Sequence, residues 1–262
     1  GIFLASELSA EQLRLGLVTA STGNHAQSVA FAARLHDVPA VLFVPEGANP
    51  DKIASIERLG GTVRQVGERF DDARLAAEQY AAETGAFFVN SGNEPRLIAG
   101  VGTAALEVLE TQQPETELVI VPVGGGSGLA GWLTVRDGLA HGAELWGVQS
   151  AQAPAVYESW RAHEAVERSN TTIAEGLATA VGFGLPLEVM WRPPNHFLLV
   201  DATATATAVT APLEMQRKPA EPPGVASLAA APLAAARVRG PRGVAVDSRA
   251  QPTPPQPRPR PA

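Results

Sequence analysis

Cysteine is absent from this chain of 262 residues, and lysine occurs only twice, at Lys52 and Lys218. Without a thiol, the sequence can provide no disulfide, no thiolate nucleophile and no cysteine-based metal site. No apolar run approaches the roughly 18 residues that a membrane-spanning helix needs, so we expect no membrane partner. The net charge of −7 argues against general binding to nucleic acid.

The residues that are present are typical of a folded domain. Hydrophobic residues make up 45% of the chain, and the length is enough for one large domain or two modest ones. No secretory signal pattern is visible, which makes the cytoplasm the expected location. The chain opens on Gly1 rather than on methionine, and we therefore expect a segment upstream of it.

Through residue 200, apolar runs of strand length alternate with segments rich in Ala, Leu, Glu and Arg. The apolar runs predict strands at 17–20, 40–44, 62–66, 86–89, 118–123, 145–149 and 197–200. The segments between them predict helices at 24–35, 50–59, 71–84, 95–110 and 128–139. This alternation is typical of an α/β fold, in which helices cover both faces of a parallel sheet.

The composition changes beyond residue 200. Residues 201–262 hold 12 of the 22 prolines but only four acidic residues. The final run, PTPPQPRPRPA, can form neither a central strand nor a helix, because proline lacks the backbone N–H that both need. We therefore predict that 201–262 is a diverged Ala- and Pro-rich tail, partly disordered.

The first candidate site is the turn TASTGNHAQ, residues 19–27, between a predicted strand and a predicted helix. One interpretation is a helix cap, in which side chains accept hydrogen bonds from the first N–H groups of the helix. The other is an anion site, because the same N–H groups and the helix dipole attract negative charge. Taken alone, the turn favours the cap. Its small or hydrogen-bonding residues are Ser21, Thr22, Gly23, Asn24 and His25.

The second candidate site is VPVGGGSGLAG, residues 121–131, where a hydrophobic strand runs into a glycine-rich turn and then a helix. Backbone N–H groups in such a turn can converge on a phosphate, whereas a tight turn alone needs only one or two glycines. We call residues 124–128 the glycine loop. Its members are Gly124, Gly125, Gly126, Ser127 and Gly128.

The glycine loop also fits the GxGxxG pattern of dinucleotide sites. That pattern needs an acidic residue at the end of the next strand, and the next predicted strand ends in Gln149 and Ser150. A Walker loop fails as well, because no lysine follows the glycines. The loop therefore favours a smaller phosphorylated cofactor.

The two turns and their flanking segments resemble the pyridoxal-phosphate enzymes of the threonine and serine dehydratase family, within the tryptophan synthase β superfamily. The resemblance holds in order and spacing over about residues 1–200. The segments that carry it are TASTGNHAQSVAFAARL (19–35), FVPEGANPDKIASIERLGG (43–61), FDDAR (70–74), NEPRLIAGVGTAALEVLE (93–110), VPVGGGSGLAG (121–131), GVQSAQAPAVYESW (147–160) and TIAEGLA (172–178).

The resemblance implies a role for each turn. Residues 21–25 match the family loop that binds the substrate carboxylate, with Asn24 also close to the cofactor's phenolic oxygen. The glycine loop matches the loop that binds the cofactor phosphate, and Glu175 and Gly176 match the segment beside the pyridine ring. Thr22 stands where the related racemase has a serine that acts as second base, which favours elimination over racemisation.

The resemblance also implies the fold and the reaction. The fold would be two α/β lobes with open parallel sheets, the smaller over 16–95 and the larger over 1–15 and 96–200. The reaction would be α,β-elimination from threonine or serine, giving a 2-oxo acid and ammonia with pyridoxal phosphate as cofactor. Family members commonly form homo-oligomers, and we expect one here.

The sequence departs from the family at the residue that the chemistry needs most. The family lysine forms a Schiff base with the cofactor and removes the α-proton, and it lies in a Ser-Phe-Lys-x-Arg-Gly element. Gly1 would fall immediately after that element. Lys52 lies on a helix with an apolar core side, which predicts a solvated surface position, and Lys218 lies in the predicted tail. We therefore expect no catalytic residue and no turnover in the chain as given.

Two alternatives and one further departure remain. The chain could be a non-catalytic protein that keeps an amino-acid or phosphate pocket. It could also be an enzyme of the same superfamily with another β-elimination or β-replacement reaction.

Gln149 replaces a glutamate that binds a structural cation in some relatives, so we predict no metal site there.

Overall fold

The computed structural model describes residues 1–112, 115–172, 174–192, 195–216, 222–235 and 242–246. Within these ranges the chain forms two sheets of four strands each, and every strand pair is parallel. This confirms the predicted α/β fold of two open parallel sheets. No helix in the described part of the chain is both long and apolar enough to cross a membrane.

The first lobe is built on a sheet in which β1 (Leu17–Ala20) lies between β2 (Ala40–Val44) and β4 (Phe87–Phe88), while β3 (Thr62–Gln65) pairs with the other edge of β2. Its faces are covered separately, because successive side chains of a strand point to opposite sides. Leu17 and Leu42 pack in one core cluster, whereas Val18 and Val41 pack in another. The elements up to the end of this lobe are α1 (Ile2–Ser6), α2 (Ala10–Arg14), β1 (Leu17–Ala20), α3 (Asn24–Leu35), β2 (Ala40–Val44), α4 (Pro50–Arg58), β3 (Thr62–Gln65), α5 (Phe70–Thr84) and β4 (Phe87–Phe88).

The second lobe is built on a sheet in which β5 (Leu118–Pro122) lies between β6 (Glu144–Ser150) and β8 (Gly243–Ala245), while β7 (Asn195–Val200) pairs with the other edge of β6. Val119 and Val121 face one core cluster, and Leu118 and Ile120 face the other. A π-helical turn (Glu107–Gln112) and a 3₁₀ turn (Glu175–Leu177) interrupt the regular elements. These elements are α6 (Pro95–Leu106), β5 (Leu118–Pro122), α7 (Ser127–Gly138), β6 (Glu144–Ser150), α8 (Ala155–Ala162), α9 (Gly184–Met190), β7 (Asn195–Val200), α10 (Ala202–Gln216), α11 (Ala226–Ala235) and β8 (Gly243–Ala245).

The second lobe extends beyond residue 200, into the region that the sequence assigned to a tail. β8 pairs in parallel with β5, and α11 lies against the sheet. Ala226, Ala230 and Ala234 of α11 are buried in a core cluster with Trp146. Alanine at every fourth position gives a face with little apolar contrast, so the sequence pattern does not reveal it. The Pro-rich end and Lys218 lie outside the described residues.

The fold brings the two candidate turns to comparable positions. The turn at 21–23 follows the carboxyl end of β1, and the glycine loop follows the carboxyl end of β5. In open parallel sheets, ligands bind outside these strand ends. Gly126 precedes α7 with φ +98°, a left-handed conformation that favours glycine over any other residue.

Candidate active site in the cleft between the lobes

A cleft of about 830 Å³ is lined by residues of both lobes. The first lobe contributes all five residues of the turn at 21–25, and the second contributes Gly125, Ser127 and Gly176. The structure therefore brings the two sequence-predicted turns together in one cavity. The cleft is also lined by Gln27, Lys52, Arg69, Phe70, Asp71, Arg74, Asn90, Ser91, Asn93, Asn170, residues 178–181 and Phe183.

The glycine loop and the start of α7 carry backbone donors that have no acceptor among the described residues. The first hydrogen bond of α7 runs from the Ala130 N–H to the Gly126 carbonyl, at 2.9 Å. The N–H groups of Ser127, Gly128 and Leu129 therefore precede the first intrahelical bond and lie at the positive end of α7. Such a helix start is a ready-made site for a phosphate.

Gly124 and Gly125 of this loop are required by close packing. A Cβ on Gly124 would lie 2.5 Å from the Gly176 carbonyl oxygen, and a Cβ on Gly125 would clash with the ring of Phe183. The glycine loop therefore approaches the 176–183 segment more closely than any side chain permits. A tight turn alone does not explain this arrangement.

The turn at 21–25 is not a side-chain helix cap. The residue before α3 is Gly23, and no side chain in the described part of the chain accepts a hydrogen bond from the first turn of this helix. Instead, Ser21 Oγ accepts the Gly23 N–H at 3.1 Å. The N–H groups at the start of α3 are thus left for another acceptor, which favours the anion-site interpretation.

His25 is held inside the first lobe by two neighbours. Its Nε2 lies 2.9 Å from Thr19 Oγ1 and 3.3 Å from the Val89 carbonyl oxygen. Burial lowers the pKa of His25 to about 4. The ring is therefore neutral at pH 7, and it supplies no positive charge to an anion in the cleft.

Comparison with known proteins identifies the family. The model of the pyridoxal-phosphate dependent enzyme family matches residues 2–246. The chain belongs to this family. The match also covers α11 and β8, whereas the resemblance seen in the sequence motifs ends at about residue 200.

Named relatives of this pyridoxal-phosphate family come from several organisms. The chain is 35% identical over 226 residues to the L-threonine ammonia-lyase of Thermotoga maritima, covering 86% of this chain and 56% of that protein. It is 36% identical over 222 residues to the L-threonine ammonia-lyase of Geobacter sulfurreducens, covering 84% and 55%. The chain thus spans about half the length of the curated relatives it matches.

A solved structure shows the same architecture. The processed form of threonine deaminase isoform 2 from Solanum lycopersicum aligns with a TM-score of 0.90 at 28% identity, covering 96% of this chain and 70% of that chain. The resemblance to the dehydratase family, predicted from the motifs, is confirmed by the family match and by these relatives.

The residues of the cleft fit the cofactor of this pyridoxal-phosphate family. A phosphate group needs converging donors, and the free N–H groups at the start of α7 provide them. Gly176 lines the same cleft and contacts the glycine loop. Glu175 belongs to the same 3₁₀ turn, but its side chain lies outside the described part of the structure.

Lys52 does not occupy the solvated surface position that its helix pattern predicted. Its side chain is half-buried and lines the cleft, together with Arg69 and Arg74. Arg74 is paired with Glu78 at 2.7 Å and with Asp71 at 3.6 Å. This wall belongs to the first lobe and gives the cleft an excess of positive charge, which attracts anions.

Asp72 and Gln149 each accept hydrogen bonds from the backbone. Asp72 Oδ2 accepts the N–H groups of Glu68 and Arg69, at 3.1 and 3.0 Å, and so caps α5. Gln149 is fully buried, and its Oε1 accepts the Tyr157 N–H at 2.9 Å. Among the described residues no cluster of His, Asp and Glu could hold a metal ion; the absence of a metal site at Gln149 stays a prediction.

Sequence reasoning missed Phe183, which connects the two lobes. Its ring lies against Gly125 of the glycine loop and against Gly92 in the segment that follows β4, and it lines the cleft. Nearby, Asn93 Oδ1 accepts the Leu185 N–H at 3.1 Å. A single aromatic residue in a Gly-flanked segment carries no pattern, so only the fold reveals this contact.

Acidification from pH 7 to pH 5 is expected to destabilise the fold by about 2 kcal/mol through His25. The folded-state pKa of His25 is about 4, against an ordinary value of 6.5. At pH 5 the unfolded chain therefore binds a proton at His25 that the folded chain does not bind. The stabilisation of the fold by neutral His25 is complete above pH 6.5 and is lost as the pH falls towards 4. Urea unfolding at both pH values measures the loss. His25→Gln should show a smaller pH dependence, and identical pH slopes would contradict the assignment.

Proposed function

We propose that this chain is the cofactor- and substrate-binding part of a pyridoxal-phosphate-dependent ammonia-lyase. The reaction is α,β-elimination from threonine or serine, which releases a 2-oxo acid and ammonia. The observation that supports this most strongly is that one cleft holds both turns, one with donors for a phosphate and one with donors for a carboxylate. The L-threonine ammonia-lyases among the relatives support the same reaction.

In this proposal the second lobe holds the cofactor and the first lobe holds most of the substrate. The glycine loop would bind the cofactor phosphate, with Asn24, Glu175 and Gly176 around the ring. When bound, pyridoxal phosphate supplies an electron sink for the α-carbon of an amino acid. The substrate carboxylate would accept hydrogen bonds at the start of α3. The substrate-binding residues are Ser21, Thr22, Gly23, Asn24 and His25.

The residues of this chain bind and orient, and we propose that they do not complete the reaction. Removal of the α-proton needs a base at the cofactor. Lys52 is the lysine that lines the cleft among the described residues, but it lies on α4 of the first lobe, while the glycine loop belongs to the second. We therefore assign no catalytic residue within the chain.

Two rival functions follow from the same cleft. A non-catalytic binding protein would keep both anion sites and bind amino acids without releasing ammonia, even when a lysine is supplied. Another superfamily reaction would release a different product.

The proposal has three further parts. They are a homo-oligomer, a cytoplasmic location and lobe boundaries at 16–95 and from 96 onward.

Supplying the family lysine should convert the binding cleft into an active one. We propose to extend the chain by Ser-Phe-Lys-Ala-Arg ahead of Gly1, load it with pyridoxal phosphate and incubate it with L-threonine. Ammonia and 2-oxo acid should appear in equal amounts, and a matched extension with alanine in place of lysine should produce neither. If the lysine-bearing chain binds L-threonine but releases no ammonia, the non-catalytic rival is favoured.

A further inference from the structure

We infer that Thr19 is a positioning residue, which holds the His25 ring with its proton on Nε2 and with the Nδ1 lone pair presented to the cleft. The position of the proton follows from geometry alone. Its consequence for substrate binding rests on the proposed function.

The hydrogen bonds around Thr19 allow only one arrangement of protons. The Thr19 side chain is buried, with 1% exposed, and its Oγ1 lies 2.7 Å from the Val89 carbonyl oxygen. A hydroxyl has one proton, and a carbonyl can only accept, so Thr19 donates to Val89. Thr19 Oγ1 is then left to accept from His25 Nε2, at 2.9 Å.

The second neighbour of the ring requires the same tautomer. His25 Nε2 also lies 3.3 Å from the Val89 carbonyl oxygen, which is again an acceptor. Both neighbours of Nε2 thus need a proton from it, and Nε2 must carry one. Because burial lowers the pKa of His25 to about 4, the ring holds a single proton at pH 7. Nδ1 is therefore a bare acceptor.

Nδ1 is the free end of this network. It has no hydrogen-bond partner among the described residues. It is also not among the side-chain atoms of those residues that are both buried and without a partner, so Nδ1 is accessible. His25 lines the cleft, in the first turn of α3. Its lone pair is consequently available to a ligand in the cleft.

The tautomer determines which ligands the turn accepts. A proton on Nδ1 would give any carboxylate one more donor. A lone pair there repels a carboxylate oxygen and accepts from an ammonium or hydroxyl group instead. The structure therefore favours ligands that carry a donor close to the carboxylate, as an amino acid does, over a plain carboxylate.

The proton position can be measured without cofactor or substrate. Long-range ¹H–¹⁵N correlation spectra of the ¹⁵N-histidine-labelled chain at pH 7 distinguish the two ring nitrogens of His25. We expect a protonated Nε2 and an unprotonated Nδ1 in the native chain and in Thr19→Ser, which keeps the hydroxyl. Thr19→Val leaves Nε2 only the longer contact to the Val89 carbonyl, at 3.3 Å, so a measurable share of the rings should carry the proton on Nδ1. A proton on Nδ1 in the native chain overturns the inference, and this spectrum decides even if Thr19→Val fails to fold.

Binding of two small probes tests the consequence. In the chain loaded with pyridoxal phosphate, L-lactate, which has a hydroxyl donor but no amine that could condense with the cofactor aldehyde, should bind about tenfold more tightly than propionate, as one additional hydrogen bond predicts. Thr19→Ser should keep this ratio, and Thr19→Val should lower it. A ratio that Thr19→Val leaves unchanged contradicts the positioning effect. If neither probe binds any variant while the spectra show the expected tautomers, the proposed function fails and the positioning by Thr19 stands.

Discussion

Gly125→Ala is expected to weaken the binding of pyridoxal phosphate by about 100-fold or more. The new Cβ would clash with the Phe183 ring, which cannot retreat easily because it also lies against Gly92. The glycine loop must therefore move, and its N–H groups lose their alignment. Each lost hydrogen bond to a charged phosphate costs about 1.5–3 kcal/mol, and two such losses give the predicted change in affinity. A fluorescence titration measures it.

Two matched variants make this prediction specific. A Cβ on Gly128, in the same glycine loop, meets no atom within 4 Å, so Gly128→Ala should bind pyridoxal phosphate as the native chain does. Phe183→Ala should restore part of the affinity to Gly125→Ala, because it removes the ring that the Cβ would strike. Equal affinities of Gly125→Ala and the native chain would show that the loop does not hold the phosphate.

Glu94→Ala is expected to lower the free energy of unfolding by about 2–3 kcal/mol. The Glu94 carboxylate, in a residue only 8% exposed, accepts three hydrogen bonds from Arg96. One of these comes from the backbone N–H and caps α6, the helix that follows the segment between the lobes. The substitution removes the cap and leaves the guanidinium without its partner. Urea unfolding at pH 7 measures the loss.

An exposed ion pair provides the control. Arg74 and Glu78 lie 2.7 Å apart, but each side chain is 39% exposed, and Glu78→Ala should therefore cost less than about 1 kcal/mol. Hydrogen bonding to Arg96 lowers the pKa of Glu94 below its ordinary 4.5, so its contribution is complete above that pH and is lost as the pH falls further. Equal losses in the two variants would contradict the role given to Glu94.

The sequence predicts those parts of the fold where the local pattern is strong. β1 and α3 have the bounds that their residues predict, because a run of apolar residues and an Ala-rich amphipathic segment meet at a turn of small polar residues. The glycine loop is equally visible, since four glycines between a strand and a helix are more than a tight turn needs. The two turns follow strands of different sheets, so their meeting in one cleft depends on the arrangement of the two sheets, which only the family resemblance implies.

Other features depend on contacts between distant parts of the chain. The Ala-rich α11 packs on a sheet whose edge strand β8 has only three residues, and neither element has a clear period in the sequence. Lys52 has the pattern of a surface residue, yet the lobe arrangement turns it to the cleft. Thr19 and Val89 are 70 positions apart in the sequence, and Phe183 and Gly92 are even farther apart. No local pattern encodes such pairs.

Comparing pyridoxal phosphate with pyridoxal as ligands of the chain is the most direct test of the phosphate site in the cleft. Pyridoxal lacks only the phosphate, so the glycine loop should bind the phosphorylated form about 100-fold more tightly. Borohydride reduction of the complex should leave Lys52 without attached cofactor. Equal affinities for the two ligands, or stable labelling of Lys52 accompanied by ammonia release from threonine, would contradict the cleft as described.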